Sequence, residues 1–100
     1  GYGTGGEHQG VRLDQLQDEV DEWVNAHGGY WSELSMYARL AEEVGELGEA
    51  VNVEHGGQTG SHDSMESEVA DVLFTLAALC NELGIDLADA FEDTMEDMPN

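Results

Sequence analysis

Apolar residues recur along this chain at helical spacing in four separate stretches. From Val11 to about His27 they fall at Leu13, Leu16, Val20, Trp23 and Val24, one face of a helix. Gly28-Gly29 stops that helix. Tyr30-Trp31-Ser32 follow, and Ser32 with Ser35 supplies helix-start chemistry. A second predicted helix, from about Glu33 to Val53, carries Met36, Tyr37, Leu40, Val44, Leu47 and Val51 on one stripe. Residues 54–63 are polar and Gly-rich and read as a loop. A third helix is predicted from about Ser64 to Leu83, with Met65, Val69, Val72, Leu73, Leu76, Cys80 and Leu83 on one face. Ala77, Ala78 and Leu79 broaden that face, so this helix is expected to be the most buried. Gly84 ends it, and Asp86 caps a shorter fourth helix carrying Leu87, Ala90, Phe91 and Met95. No strand-like alternation appears. The expected architecture is all-α: a bundle of four helices with a long central antiparallel hairpin. Residues 11–98 form its single domain, behind a Gly-rich lead-in at residues 1–10 read as flexible.

Composition sharpens this picture. Leu, Ile, Val and Phe make up 21 of 100 residues, at the edge of the range where high charge predicts disorder, so the periodicity decides for order. Asp and Glu number 23 against two basic residues, Arg12 and Arg39, and the formal net charge is −21. Nothing here neutralises a row of phosphates, which excludes a direct nucleic-acid binder and disfavours an anionic membrane surface. No apolar run is long enough to span a bilayer, and no secretory signal is visible. The acid is spread along the whole chain, which favours a halophilic protein of a high-salt cytoplasm over an acidic interaction tail. The single cysteine, Cys80, lies in an apolar stretch, reads as core and points to an intracellular setting. A core this small, with a broad apolar third helix, suggests a partner subunit.

Two short acidic patterns carry the candidate chemistry. The second helix holds Glu42-Glu43-Val44-Gly45-Glu46 and the third holds Glu68-Val69-Ala70-Asp71. Residues three apart share a helix side, so Glu43 pairs with Glu46 and Glu68 with Asp71, each pair flanking an apolar stripe. An antiparallel hairpin packed on those stripes brings four carboxylates together. Like charges that close oppose burial, and a divalent cation removes the opposition. Oxygen-only ligands select a hard ion, Mg²⁺ or alternatively Mn²⁺. No histidine here has a Glu three residues before it, which argues against a ferritin-like di-iron site. The competing reading is that such pairs are solvated helix faces, as Glu19 and Glu22 are expected to be in a chain this acidic.

At this point the residues resemble a known family. Tyr30-Trp31-Ser32, Ala38-Arg39-Leu40-Ala41-Glu42-Glu43-Val44-Gly45-Glu46-Leu47, Glu68-Val69-Ala70-Asp71-Val72-Leu73-Phe74 and Leu83-Gly84-Ile85-Asp86 are similar to the MazG-like nucleotide pyrophosphohydrolases. These belong to the all-α nucleoside triphosphate pyrophosphatase superfamily, marked by E-E-x-x-E followed by E-x-x-D. The resemblance implies hydrolysis of non-standard or surplus nucleoside triphosphates to a monophosphate and pyrophosphate. It implies Mg²⁺ bound by Glu43, Glu46, Glu68 and Asp71, with Glu42 as the base that activates water. It also places Trp31 and Tyr30 where relatives line a nucleobase pocket, and Asn52 at a polar position common in close relatives. Trp31 has the alternative of plugging the bundle end, and Asn52 of capping a loop. Arg39 is the one basic residue near the motif; it either reaches a phosphate or pairs with a nearby acid. Trp23 is expected in the core. His27, His55 and His62 flank loops and are expected to be exposed.

One departure stands out. Relatives place basic residues after the last helix, whereas this chain reads Glu96-Asp97-Met98-Pro99-Asn100. The expectation is therefore a cytoplasmic, Mg²⁺-dependent nucleoside triphosphate pyrophosphohydrolase working as a homodimer or homotetramer. The rivals are a phosphoribosyl-ATP pyrophosphatase and a non-catalytic acidic helical module that binds metal or a partner.

Overall fold

In the computed structural model, which describes residues 10–55 and 62–99, four helices follow one another: α1 (Leu13–Ala26), α2 (Glu33–His55), α3 (His62–Leu83) and α4 (Leu87–Asp97). No strand occurs among the described residues. The predicted lead-in falls outside them except for Gly10, as does the centre of the predicted loop; α2 and α3 each extend about two residues into the rest of that loop. The side chains of His55 and His62 also lie outside what is described. None of the helices is long and apolar enough to cross a membrane.

Local chemistry sets the helix ends. At the start of α1 the Gln15 side chain accepts the Arg12 N–H at 2.9 Å, and Arg12 pairs with Asp14 at 3.0 Å. The close of α1 folds the N–H groups of His27 and Gly29 back onto the Val24 carbonyl, at 3.1 and 2.8 Å. Gly28 and Gly29 then adopt φ of 107° and 89°, a left-handed backbone that glycine enters without a Cβ clash. Ser32 starts α2 by accepting the Ser35 N–H on its hydroxyl at 3.1 Å. Asp86 caps α4 through the Asp89 N–H at 3.0 Å, as the sequence predicts.

The long helices α2 and α3 pack along one another as an antiparallel hairpin, α1 lies on α3, and α4 rests on α1. The core joins Val20 and Val24 of α1, Met36 of α2, and Ala77, Ala78 and Leu79 of α3. Leu16, Tyr30, Leu40, Phe74 and Leu87 pack against it from the rim. Four consecutive residues, Ala77 to Cys80, are buried, so the third helix is enclosed on several sides, as its composition predicts.

The stripes on α2, α3 and α4 differ from expectation, and on α3 Val69, Leu73 and Leu83 stay exposed. Along α2 the buried line runs through Met36, Leu40, Glu43 and Leu47, while Tyr37, Val44 and Val51 stay exposed. Glu43 therefore sits within the packing seam rather than beside it. On α4 no residue is buried, and Phe91 and Met95 remain exposed. Trp23 is also displaced from the predicted core: it is 52% exposed, because Val20 and Val24 already fill the face of α1 that meets α3.

Candidate metal centre and aromatic cleft

The antiparallel register brings the middle of α2 against the first half of α3. Glu43, Glu68 and Asp71 each offer a carboxylate oxygen, all within 4.8 Å of one another. Glu46, one turn beyond Glu43 and exposed, stands outside that group of three and borders it through Glu68. Its carboxyl is held above the usual carboxylate range, first by a hydrogen bond shared with Glu68, then by that group's charge. The structure thus groups three of the four acids singled out in the sequence, with Glu46 exposed at their edge beside Glu68.

Burial makes the arrangement chemically unusual. Glu43 is 4% exposed, and Glu43 Oε1 and Glu68 Oε2 are both buried without a hydrogen-bond partner. A buried carboxylate oxygen with nothing to accept from is strongly disfavoured unless a cation satisfies it. A divalent cation fits the donor set, which is hard oxygen alone, from two helices, and two of its residues each carry a buried oxygen without a partner. The other Glu43 oxygen is occupied by Arg39, whose Nε donates to Oε2 at 2.9 Å within one turn of α2. The pairing expected for Arg39 is therefore present, and it is made with one of the motif acids.

From this acidic group a cleft of about 520 Å³ runs toward the end of α1 and the α1–α2 turn. Glu43, Asp71 and Arg39 line one end. Trp23, His27, Tyr30 and Trp31 line the other, with Met36, Phe74 and Thr75 among the remaining walls. Trp23 stacks on His27 at 3.9 Å between ring centroids and meets Phe74 edge-on at 5.4 Å. The His27 Nδ1 lies 2.7 Å from the Trp23 carbonyl, which can only accept, so Nδ1 carries the proton and the free ring edge is Nε2. Thr75, 5% exposed, donates its hydroxyl to the Asp71 carbonyl at 2.8 Å, stiffening the turn that presents the Asp71 carboxylate.

The remaining candidates are placed differently. Trp31, 58% exposed, lines the cleft and does not plug the bundle end. Tyr30 is half-buried and lines it too. Glu42 is exposed, lies outside the cleft lining, and approaches the acids as a charge that helps to raise Glu46. Asn52 is exposed near the far end of α2 and also lies outside the cleft lining.

The wall residues that the sequence reading passed over are Trp23, His27, Phe74 and Thr75. Their signal is spacing: Trp23 and His27 are four apart just before the glycines, and Thr75 is one turn beyond Asp71.

The model of the MazG nucleotide pyrophosphohydrolase domain matches residues 31–100, seven-tenths of the chain, including both acidic motifs and the helices that carry them. The chain belongs to the MazG nucleotide pyrophosphohydrolase family. The Bacillus subtilis protein YpjD is 42% identical to this MazG-family chain over 88 residues, which is 83% of this chain and 79% of YpjD. The crystal structure of YpjD superposes with a TM-score of 0.82 at 38% identity, covering 93% of this chain and all of that one. The crystal structure of the Bacillus-conserved MazG protein, described as a nucleotide pyrophosphohydrolase, gives a TM-score of 0.81 at 36% identity, covering 93% of this chain and 95% of that one. Both likenesses span all four helices in extent, so the family's bundle and this one share their architecture.

Proposed function

We propose that this MazG-family protein hydrolyses nucleoside triphosphates, surplus or non-standard deoxynucleotides above all, to a monophosphate and pyrophosphate in the presence of Mg²⁺. The observation that carries the reading is the pair of buried, unpartnered oxygens, Glu43 Oε1 and Glu68 Oε2, beside Asp71 at one end of an aromatic-walled cleft. One end of that cleft suits a polyphosphate with its cations, and the other suits a flat, partly apolar base.

Each residue has a role in this reading. Glu43, Glu46, Glu68 and Asp71 would hold Mg²⁺, with Mn²⁺ as a substitute of the same hardness. A divalent cation there supplies the positive charge that shields the polyphosphate and acidifies water. Arg39 orients Glu43 through Nε and is itself part of the cleft lining. Trp31 offers an exposed ring for the base to stack on, beside the stacked Trp23–His27 pair and Tyr30 of the turn. Water adds across the anhydride between the α and β phosphorus atoms; that P–O bond breaks, pyrophosphate departs, and the water's proton passes to Glu42. Glu42 takes this role from its place beside Glu43 and one turn before Glu46, at the exposed margin of the acids just outside the cleft lining. Asn52 lies too far along α2 from the cleft lining for a direct role to be assigned.

The test is a product assay across dNTPs, NTPs and phosphoribosyl-ATP, with Mg²⁺ or Mn²⁺, in dilute and molar KCl. Monophosphate and pyrophosphate in equal amounts from dNTPs are expected, with Asp71→Asn inactive and Glu42→Gln slowed at unchanged cation affinity. Preferential turnover of phosphoribosyl-ATP would reassign the substrate. Cation binding with no turnover of any nucleotide would turn the protein into a metal-binding module.

A further inference from the structure

A connected set of hydrogen bonds lies behind the aromatic end of the cleft, away from the acids. At its centre is Asn81, half-buried on the last turns of α3. Its side-chain NH₂ donates to the Tyr30 hydroxyl at 3.0 Å and to the Gln17 backbone carbonyl at 3.1 Å. Its side-chain carbonyl accepts from Gln17 Nε2 at 2.9 Å. The same Gln17 Nε2 donates to the Ile85 carbonyl at 2.9 Å, and Gln17 Oε1 accepts the Leu87 N–H at 2.8 Å. The Tyr30 hydroxyl in turn donates to Asp21 Oδ1 at 2.6 Å. Every donor has an acceptor, which fixes the amide orientation of Asn81 and Gln17.

The set joins three parts of the chain that are far apart in sequence. Gln17 and Asp21 are on α1, Tyr30 is on the α1–α2 turn, and Asn81 with Ile85 and Leu87 closes the α3–α4 junction. The turn needs such a tether. Gly28 and Gly29 before it are left-handed glycines, which give the backbone freedom rather than restraint. The next side chain, Trp31, is more than half exposed and has little packing to hold it. Tyr30 packs against the core, and its phenol oxygen adds two hydrogen bonds that fix how the ring, and the chain into Trp31, stand there.

We infer that Asn81 is a positioning residue for nucleotide binding: through the Tyr30 hydroxyl it sets where the Tyr30–Trp31 turn stands against the cleft. This rests on the reading that the aromatic end of the cleft receives the base. Asn81 does not line the cleft and touches none of the four acids, so its effect falls on substrate affinity and leaves the cation site alone. The phenol remains protonated, because burial and then the bond to Asp21 both raise its pKa. It is therefore a donor to Asp21 and an acceptor from Asn81 at once.

The experiment compares wild type, Asn81→Leu, Tyr30→Phe and the double variant, with each of the four common dNTPs as substrate. Steady-state kinetics, thermal melting and Mn²⁺ half-saturation are measured for each protein. Tyr30→Phe keeps the ring and deletes only the oxygen, so it decides the matter should Asn81→Leu fail to fold. KM is expected to rise about fivefold in each single variant, the effect of losing the one hydrogen bond that both delete, from Asn81 to the Tyr30 hydroxyl. The double variant is expected to match the singles, because both act through one link. The turnover number and the Mn²⁺ midpoint stay within about twofold of wild type, as removing binding alone requires. An unchanged KM in Tyr30→Phe, KM effects that multiply in the double variant, or a fall confined to kcat overturns the inference while leaving the cleft's assignment intact. Failure of the wild-type protein to turn over any dNTP overturns both.

Discussion

Replacing Glu68 by glutamine separates the cost of the acidic cluster from its use. Glu68 is the better position, because Glu43→Gln would also take a charge from the Arg39 pair. Without a cation, oxygens of Glu43 and Glu68 lie within 4.8 Å of each other. Two unit charges at that distance repel by about 3.5 kcal/mol at an effective dielectric constant of about 20. Glu68 is only half-buried, so water and salt reduce the net effect to about 1 kcal/mol. Glutamine removes that repulsion and can donate to a neighbouring carboxylate. The metal-free melting temperature is then expected to rise by about 4–8 °C for a domain of this size. Saturating Mg²⁺ has the opposite consequence. At a hundredfold excess over Kd it stabilises the wild type by about 2.7 kcal/mol, and each tenfold loss of affinity removes about 1.4 kcal/mol of that gain. The order of stability therefore inverts between EDTA and Mg²⁺. Differential scanning fluorimetry across a Mg²⁺ titration reads both limbs. A variant that melts below wild type in EDTA, or that gains as much from Mg²⁺ as wild type does, refutes the account of these acids as a cation cage.

The shared hydrogen bond between Glu46 and Glu68 also predicts a pH dependence. Glu46 binds its proton more tightly folded than unfolded, so its contribution is fully present below the ordinary glutamate pKa and is lost as pH rises through the raised value. Metal-free melting should accordingly fall as pH rises across that window, and Glu68→Gln should flatten the slope. Unfolding midpoints of the wild type are expected to climb from dilute buffer to molar KCl as the charge of −21 is screened, whereas a flat KCl dependence would leave the acid unexplained. Burial pushes the Cys80 thiol up, so native protein should react with a thiol reagent far more slowly than denatured protein, and equal rates would place Cys80 at the surface.

Much of the fold was legible because helical periodicity and helix-end chemistry agree in this chain. Gly28-Gly29, Ser32, Gly84 and Asp86 stand where the backbone turns or caps, and all act through local geometry. The acidic cluster was legible for a related reason: spacing of three on each of two neighbouring helices leaves few ways to avoid convergence. The depth of Glu43 was not legible. Periodicity alone treats a charged residue as a flank, and only the hairpin register shows Glu43 taking a seam position between Leu40 and Leu47. Trp23 was misjudged because its spacing matches the buried face of α1. Whether a residue at the margin of such a face meets protein or open space depends on the partner helix, here on Phe74. The tether through Gln17, Tyr30 and Asn81 joins residues up to 70 apart when Leu87 is included, beyond the reach of any local pattern.

The two alanines at the centre of α3 act as a spacer. Ala77 and Ala78 are wholly enclosed, one turn past Phe74, where α1 crosses. The separation of two packed helices follows the bulk between them. Trp23 rides on α1 and faces Phe74 across the gap. A methyl group added where an alanine meets α1 would push that helix outward and loosen the contact between those rings, while every residue of the cleft wall stays the same. The width of the cleft can therefore drift through changes hidden behind its wall.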